Sequence, residues 1–134
     1  MAVENIITDG GLGVVTICSG VLGRDEFIDA VRRRYEPEES LRDRRYFLTD
    51  HSAVTDFAME SKDIFALSKI TTAASMINPD IHLASVVPRD LAFGMVRMWG
   101  GYAHDLAWAF RICRSRPEAE RWLRDEIDPG LTFR

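Results

Sequence analysis

The chain has 134 residues, close to the usual size of one domain, and at that length roughly two thirds of the unfolded surface can be buried. Hydrophobic residues make up 46% and charged residues 28%, which excludes a disordered or low-complexity chain, and a net charge of −4 supplies no field to attract nucleic acid. Two cysteines, Cys18 and Cys113, lie within apolar runs; they are too few for a disulfide scaffold and imply a reducing compartment.

Met1 to Thr8 shows no basic segment followed by an apolar one, so no signal peptide is expected. Charge interrupts every apolar stretch before the length of about 18 residues that a membrane-spanning helix needs, and a cytoplasmic protein is expected. Glu4–Thr8 and Leu12–Ser19 read as an antiparallel strand pair, because Asp9-Gly10-Gly11 between them is a hairpin-turn signal and the second run is β-branched and apolar. Gly20 and Gly23 mark the exit. Arg24–Tyr35 has helical spacing, with Phe27, Ile28, Val31 and Tyr35 on one face, acids in the first turn and Arg32, Arg33 and Arg34 in the last. Pro37 ends this helix, and Glu36–Arg45 is expected to be a charged connector.

Tyr46–Asp50 is a short strand, and His51–Glu60 is expected as a loop or brief extended piece with Val54, Phe57 and Met59 pointing inward. Ser61 is the expected N-cap of a helix from Lys62 to about Met76, whose buried stripe is Ile64, Leu67, Ile70, Ala74 and Ile77. Asn78-Pro79-Asp80 stops it, and Ile81–Val87 is the next strand. Pro88-Arg89-Asp90 opens a helix through Trp99, with Gly100-Gly101 as its stop. Leu106–Cys113 is the last strand. Ser115 with Glu118 forms a capping box for a helix over Pro117–Ile127 that turns Ala119, Trp122 and Leu123 inward, and Asp128–Arg134 is a tail. The order ββαβαβαβα predicts an α/β fold: a mixed, mostly parallel five-stranded sheet with an antiparallel edge strand and about four helices.

Several phrases resemble one family. They are Ser19-Gly20 followed by Gly23-Arg24-Asp25-Glu26-Phe27, the run from Val87-Pro88-Arg89-Asp90 to Met98, and Phe110-Arg111 followed by Arg114-Ser115-Arg116-Pro117-Glu118-Ala119 and Trp122-Leu123. Together they resemble the SpoIIAA-like proteins, relatives of the STAS domains, from about Ile6 to Leu123. The resemblance implies a SpoIIAA/STAS-like fold and a regulatory or protein-interaction module without catalytic activity, often switched by phosphorylation in related STAS domains. Many SpoIIAA-like members have no assigned function, and a likeness to lipid-binding domains of the SEC14 type is drawn from fold alone. The switch serine of the anti-anti-sigma proteins falls in a phrase like Phe-Met-Asp-Ser-Ser-Gly. The matching stretch here is Phe57-Ala58-Met59-Glu60-Ser61-Lys62-Asp63, which makes Ser61 the candidate phosphosite; the second serine is a lysine and the glycine is absent.

Asp50-His51-Ser52 has the letters of a hydrolase triad, but adjacent side chains do not converge as nucleophile, base and orienter. Asp80 and His82 make only two ligands where a zinc site takes about four. His104-Asp105 resembles a tautomer-fixing pair. Gly10, Gly11 and Gly13 lie between two strands rather than before a helix, so they suit a turn and not a phosphate loop. No catalytic residue, metal or cofactor is expected. Arg32, Arg33, Arg34, Arg42, Arg44 and Arg45 alternate with Glu36, Glu38, Glu39 and Asp43, which predicts a solvated face with local pairs; a phosphate or anionic-lipid site is the sharper reading.

Met95, Met98, Trp99 and Tyr102 gather on the third long helix, while Met59 and Met76 fall elsewhere in the core pattern. These residues read as core, or as the wall of an apolar pocket or interface, with Arg97 on the opposite side free to contact a partner. The expected function is therefore an interaction module with an unknown protein partner. The alternatives are a carrier or sensor of a small apolar ligand or lipid between helices and sheet, and an unrecognised enzyme. The edge strand and the aromatic helix also offer surfaces for a homodimer.

Overall fold

The computed structural model describes residues 2–88 and 90–134, and the side chains of Leu91 and Ala92 also lie outside the description, as does Arg89 of the expected helix opening. Strand β1 (Val3–Thr8) runs antiparallel to β2 (Gly13–Gly23), pairing Val3 with Cys18 and Thr8 with Gly13. A 3-10 turn over Asp9–Gly11 joins them, with positive φ at Asp9, Gly10 and Gly11. Strands β3 (Tyr46–Ala58), β4 (His82–Val86) and β5 (Ala109–Cys113) continue the sheet in parallel to β2. Spatial order equals chain order, β1-β2-β3-β4-β5. The result is the mixed sheet with one antiparallel edge that the sequence predicts.

The described residues form five α-helices: α1 (Arg24–Arg34), α2 (Glu38–Asp43), α3 (Ser61–Ile77), α4 (Asp90–Tyr102) and α5 (Arg116–Glu126). Crossovers between parallel strands share one hand, so strands laid down in sequential order place their connecting helices on one face. Accordingly Val14, Cys18, Phe47 and Leu83 meet Phe27 and Val31 of α1 and Ile64, Leu67 and Ala74 of α3 in one core. Helix α5 follows the last strand and covers the other face. There Val15, Tyr46, Leu48, Ala84, Val86 and Cys113 pack on Ala119 and Leu123. With both faces covered, the strands can be apolar almost throughout.

Several expectations need correction. The connector after α1 contains a helix, α2, because Leu41 finds the core. Of the two expectations for His51–Glu60 the extended one holds, and it is longer than a brief piece: His51 to Ala58 continues β3, which keeps pairing with the far half of β2 as far as Gly23. Gly20, at φ 66°, lies at a register shift in that pairing. The N-cap of α3 is Glu60, not Ser61: the Glu60 carboxylate accepts the Asp63 backbone N–H, and the Asp63 carboxylate accepts the Glu60 N–H at 2.8 Å. Helix α4 runs through Gly100 and Gly101 instead of stopping there; a Cβ on Gly100 would lie 3.3 Å from the Phe110 ring, so close packing on β5 explains that glycine better than a stop does. Strand β5 begins at Ala109, after a turn.

Met76 is not core: it is 81% exposed on the outer face of α3. Residues 128–134 are not a loose tail. Leu131 and Phe133 are buried, and the Asp9 carboxylate accepts the backbone N–H groups of Thr132 and Phe133 as well as the Tyr46 hydroxyl. Those hydrogen bonds outweigh the opposing effect of burial and hold the Asp9 carboxyl below the usual range. Tyr46 also bonds Thr8, and Gly13 makes room for its ring. No helix among the described residues is long and apolar enough to cross a membrane.

Candidate functional site

Strand β3 outruns β4: their pairing ends at Asp50 and Val86. Beyond that point the inner face of β3 is roofed by α1, α3 and α4, and a cavity remains between roof and sheet. The space within it that the centre of a water-sized sphere can occupy is about 60 Å³. Side chains two apart on a strand share a face. Thr49 and His51 of β3 therefore join Phe47 on the helix side, and Leu83 and Ser85 of β4 line the floor beside them. Phe57 and Met59, on the way into α3, close one wall. Helix α1 contributes Phe27, Val31 and Arg34, α3 contributes Ile64, Leu67 and Thr71, and α4 contributes Met95, Val96 and Trp99.

The walls are thus mainly apolar, with a few fixed polar groups. Arg34 is only 7% exposed. Its Nη1 donates to Thr49 Oγ1 at 2.8 Å and Thr16 Oγ1 at 3.3 Å, and its Nη2 donates to the Tyr35 hydroxyl at 3.1 Å. That hydroxyl is also 3.0 Å from Thr71 Oγ1. The guanidinium lies over the Phe47 ring, 5.1 Å from its centroid. Its Nε has no hydrogen-bond partner among the described residues.

His51 is 5% exposed, with the rings of Phe27 and Phe57 each 5.8 Å from its own. Burial pushes its imidazole down to about 4, with the Asp50 charge opposing and the Arg34 charge reinforcing the shift, so it is neutral at physiological pH. Its Nδ1 likewise lacks a partner among the described residues. The cysteines supply no thiolate: burial pushes Cys18 up to about 12 and Cys113 to about 11.

The structure divides the surface expected on α4. Met95 and Trp99 line the cavity, Trp99 packing edge-on against Phe110. Met98 and Tyr102 are exposed, and Tyr102 rests on Phe65 of α3. Arg97 is exposed over the Phe93 ring. Ser61 is exposed as the first residue of α3. Met59, expected in the core, is buried and borders the cavity.

The other candidates do not assemble. Asp50 accepts the Ser52 backbone N–H at 2.9 Å and lies 3.7 Å from Arg116 of α5, on the face opposite His51. The three letters of the triad are therefore divided by the sheet. His82 stacks edge-on against Trp122, while Asp80 is exposed and its N–H bonds Asn78. His104 and Asp105 are an exposed pair 3.3 Å apart. Among the described residues no cluster of three or more His, Cys, Asp or Glu side chains is placed to hold a metal ion.

The arginine segment behaves differently from the expected solvated face. Arg33 pairs with Asp29 and Arg42 with Glu38, both exposed. Arg34 and Arg44 are buried instead. Arg44 donates to the Gly11 carbonyl at 2.6 Å. The signal for Arg34 was present in the chain: it stands seven residues after Phe27 and three after Val31, on the buried stripe of α1. No protein-family model matches this chain, and a search of curated proteins finds no match.

Proposed function

We propose that this chain is a non-catalytic binding module of the SpoIIAA-like, STAS-related kind, which carries or senses a small apolar molecule in the cavity between the sheet and helices α1, α3 and α4. The observation behind this reading is the cavity itself: apolar walls from three helices, with a few buried polar groups at fixed positions, are the usual make-up of a small-molecule site. Its floor runs over Leu83 and Ser85 of β4 and Thr49 and His51 of β3, between the sheet and the helices that cover it. The sequential strand order with an antiparallel edge supports the STAS-related fold.

A phosphorylation switch at Ser61 draws less support. A phosphate at a helix start is stabilised by free backbone N–H groups. At α3 the Glu60 carboxylate already takes the Asp63 N–H, and two acidic side chains crowd the position. The test of the ligand reading is native mass spectrometry of gently purified protein, followed by thermal melting with octanoate and octanamide as probes. A bound mass of metabolite size, or a raised melting temperature with either probe, is expected. A clean apoprotein mass in repeated preparations, with no shift from either probe, overturns the reading.

A further inference from the structure

We propose that the ligand taken by this cavity is a small apolar carboxylic acid, its carboxylate held by the guanidinium of Arg34 and its apolar body by the walls of α3 and α4. The inference rests on the ligand-binding reading above and names the chemical class of the ligand.

A buried charge is costly unless an opposite charge and hydrogen bonds compensate it. Arg34 is buried at the inner end of α1, yet its partners are neutral hydroxyls, those of Thr16, Thr49 and Tyr35. Every carboxylate ion pair among the described residues goes to another cation, and none reaches Arg34. Glu4 and Glu36 line a groove that Arg34 also borders on the β1 side, and neither pairs with it. The cation lacks its anion.

The donors left over suit a carboxylate. A guanidinium has five N–H donors, and three are engaged here, two on Nη1 and one on Nη2. The Nε–H is unpaired and enclosed, so a ligand reaches it by parting the side chains over it, and one Nη2 hydrogen is left after the bond to Tyr35. Nε and Nη2 share one edge of the planar group, and a carboxylate can take such an edge with both of its oxygens. Thr49, Tyr35 and the Phe47 ring fix the guanidinium in place, so little freedom is lost on binding. His51 borders the same cavity as a buried neutral ring. The rest of the wall is mainly apolar, with Ile64, Leu67, Met95 and Trp99 in it, which suits an aliphatic or aromatic body.

The experiment is isothermal titration of the whole chain near neutral pH with octanoate and with octanamide, which match in length and differ in charge. Octanoate is expected to bind about tenfold more tightly or better, as a bidentate charged pair should. Arg34→Met is expected to erase that preference, because the charge that separates the two probes is gone while the apolar walls of α3 and α4 remain. A measurement on the unaltered protein guards against a variant that does not fold: octanoate, and not octanamide, should displace the Arg34 Nε–H resonance in nitrogen-resolved NMR. Equal binding of the two probes, an unmoved Nε–H resonance, or a preference that survives in Arg34→Met overturns the acid assignment and leaves the cavity reading standing. Binding of neither probe overturns both.

Discussion

Acidification tests the charge state of His51. An exposed histidine takes its proton near 6.5, whereas burial pushes the folded imidazole down to about 4. Between those values the unfolded chain holds more protons than the folded one, so stability falls as pH falls. The contribution is fully present above 6.5 and is lost on the way down to about 4. Roughly 2.5 pH units at about 1.4 kcal/mol each make a loss of about 3 kcal/mol. His51→Phe removes the titrating group and leaves a ring between Phe27 and Phe57, where an aromatic already fits. Asp9 and Asp63, whose carboxyls are held below the usual range, give their own acid slope in both proteins, so the difference between variant and parent isolates His51. Urea unfolding at a series of pH values provides both curves. The variant's curve should be flatter by about 3 kcal/mol over that window. Parallel curves, or an imidazole signal that titrates near 6.5 in the folded protein, would refute the assignment.

Two further perturbations probe the packing that positions the cavity's sheet. In Gly13→Ala the new Cβ would lie 2.0 Å from a Tyr46 ring atom, and Tyr46 cannot retreat, being fully buried with its hydroxyl bonded to Thr8 and Asp9. Overpacking of this kind costs about 1–3 kcal/mol, and a thermal melt within a degree or so of the parent would contradict it. Phe133→Ala removes a ring that packs edge-on against Tyr46 and is 5% exposed; it should cost about 3 kcal/mol in urea unfolding, and a variant as stable as the parent would mean that residues 128–134 do not hold the second core.

Much of the architecture was legible in the residues. The Asp-Gly turn, the β-branched runs and the alternation of strand and helix led to the mixed sheet and its antiparallel edge, because local turn chemistry and hydrophobic periodicity are properties of short segments. The same logic explains the failures. Ending the third strand at Asp50 left His51 in a loop or brief extended piece, whereas continuing its alternation by one step puts His51 on the face of Phe47 and Thr49. Ser61 looked like the cap because serine favours that position, but Glu60 and Asp63 satisfy each other's backbone across the same turn. The arginine run looked solvated because acids alternate with it, yet Arg34 sits on the apolar stripe of its helix.

Sequence by itself determined most of the elements, their order and most of the apolar positions of both cores, since each is written in spacing that a short segment reports. Tertiary structure alone decided that β3 outruns β4, that three helices roof the gap, and that Arg34 and His51 meet there with nitrogens unpartnered. The physical reason is that burial of a polar group is settled by what the distant parts of the chain leave around it: the hydroxyls on Arg34 come from β2, β3 and the end of α1, and no segment carries that arrangement alone.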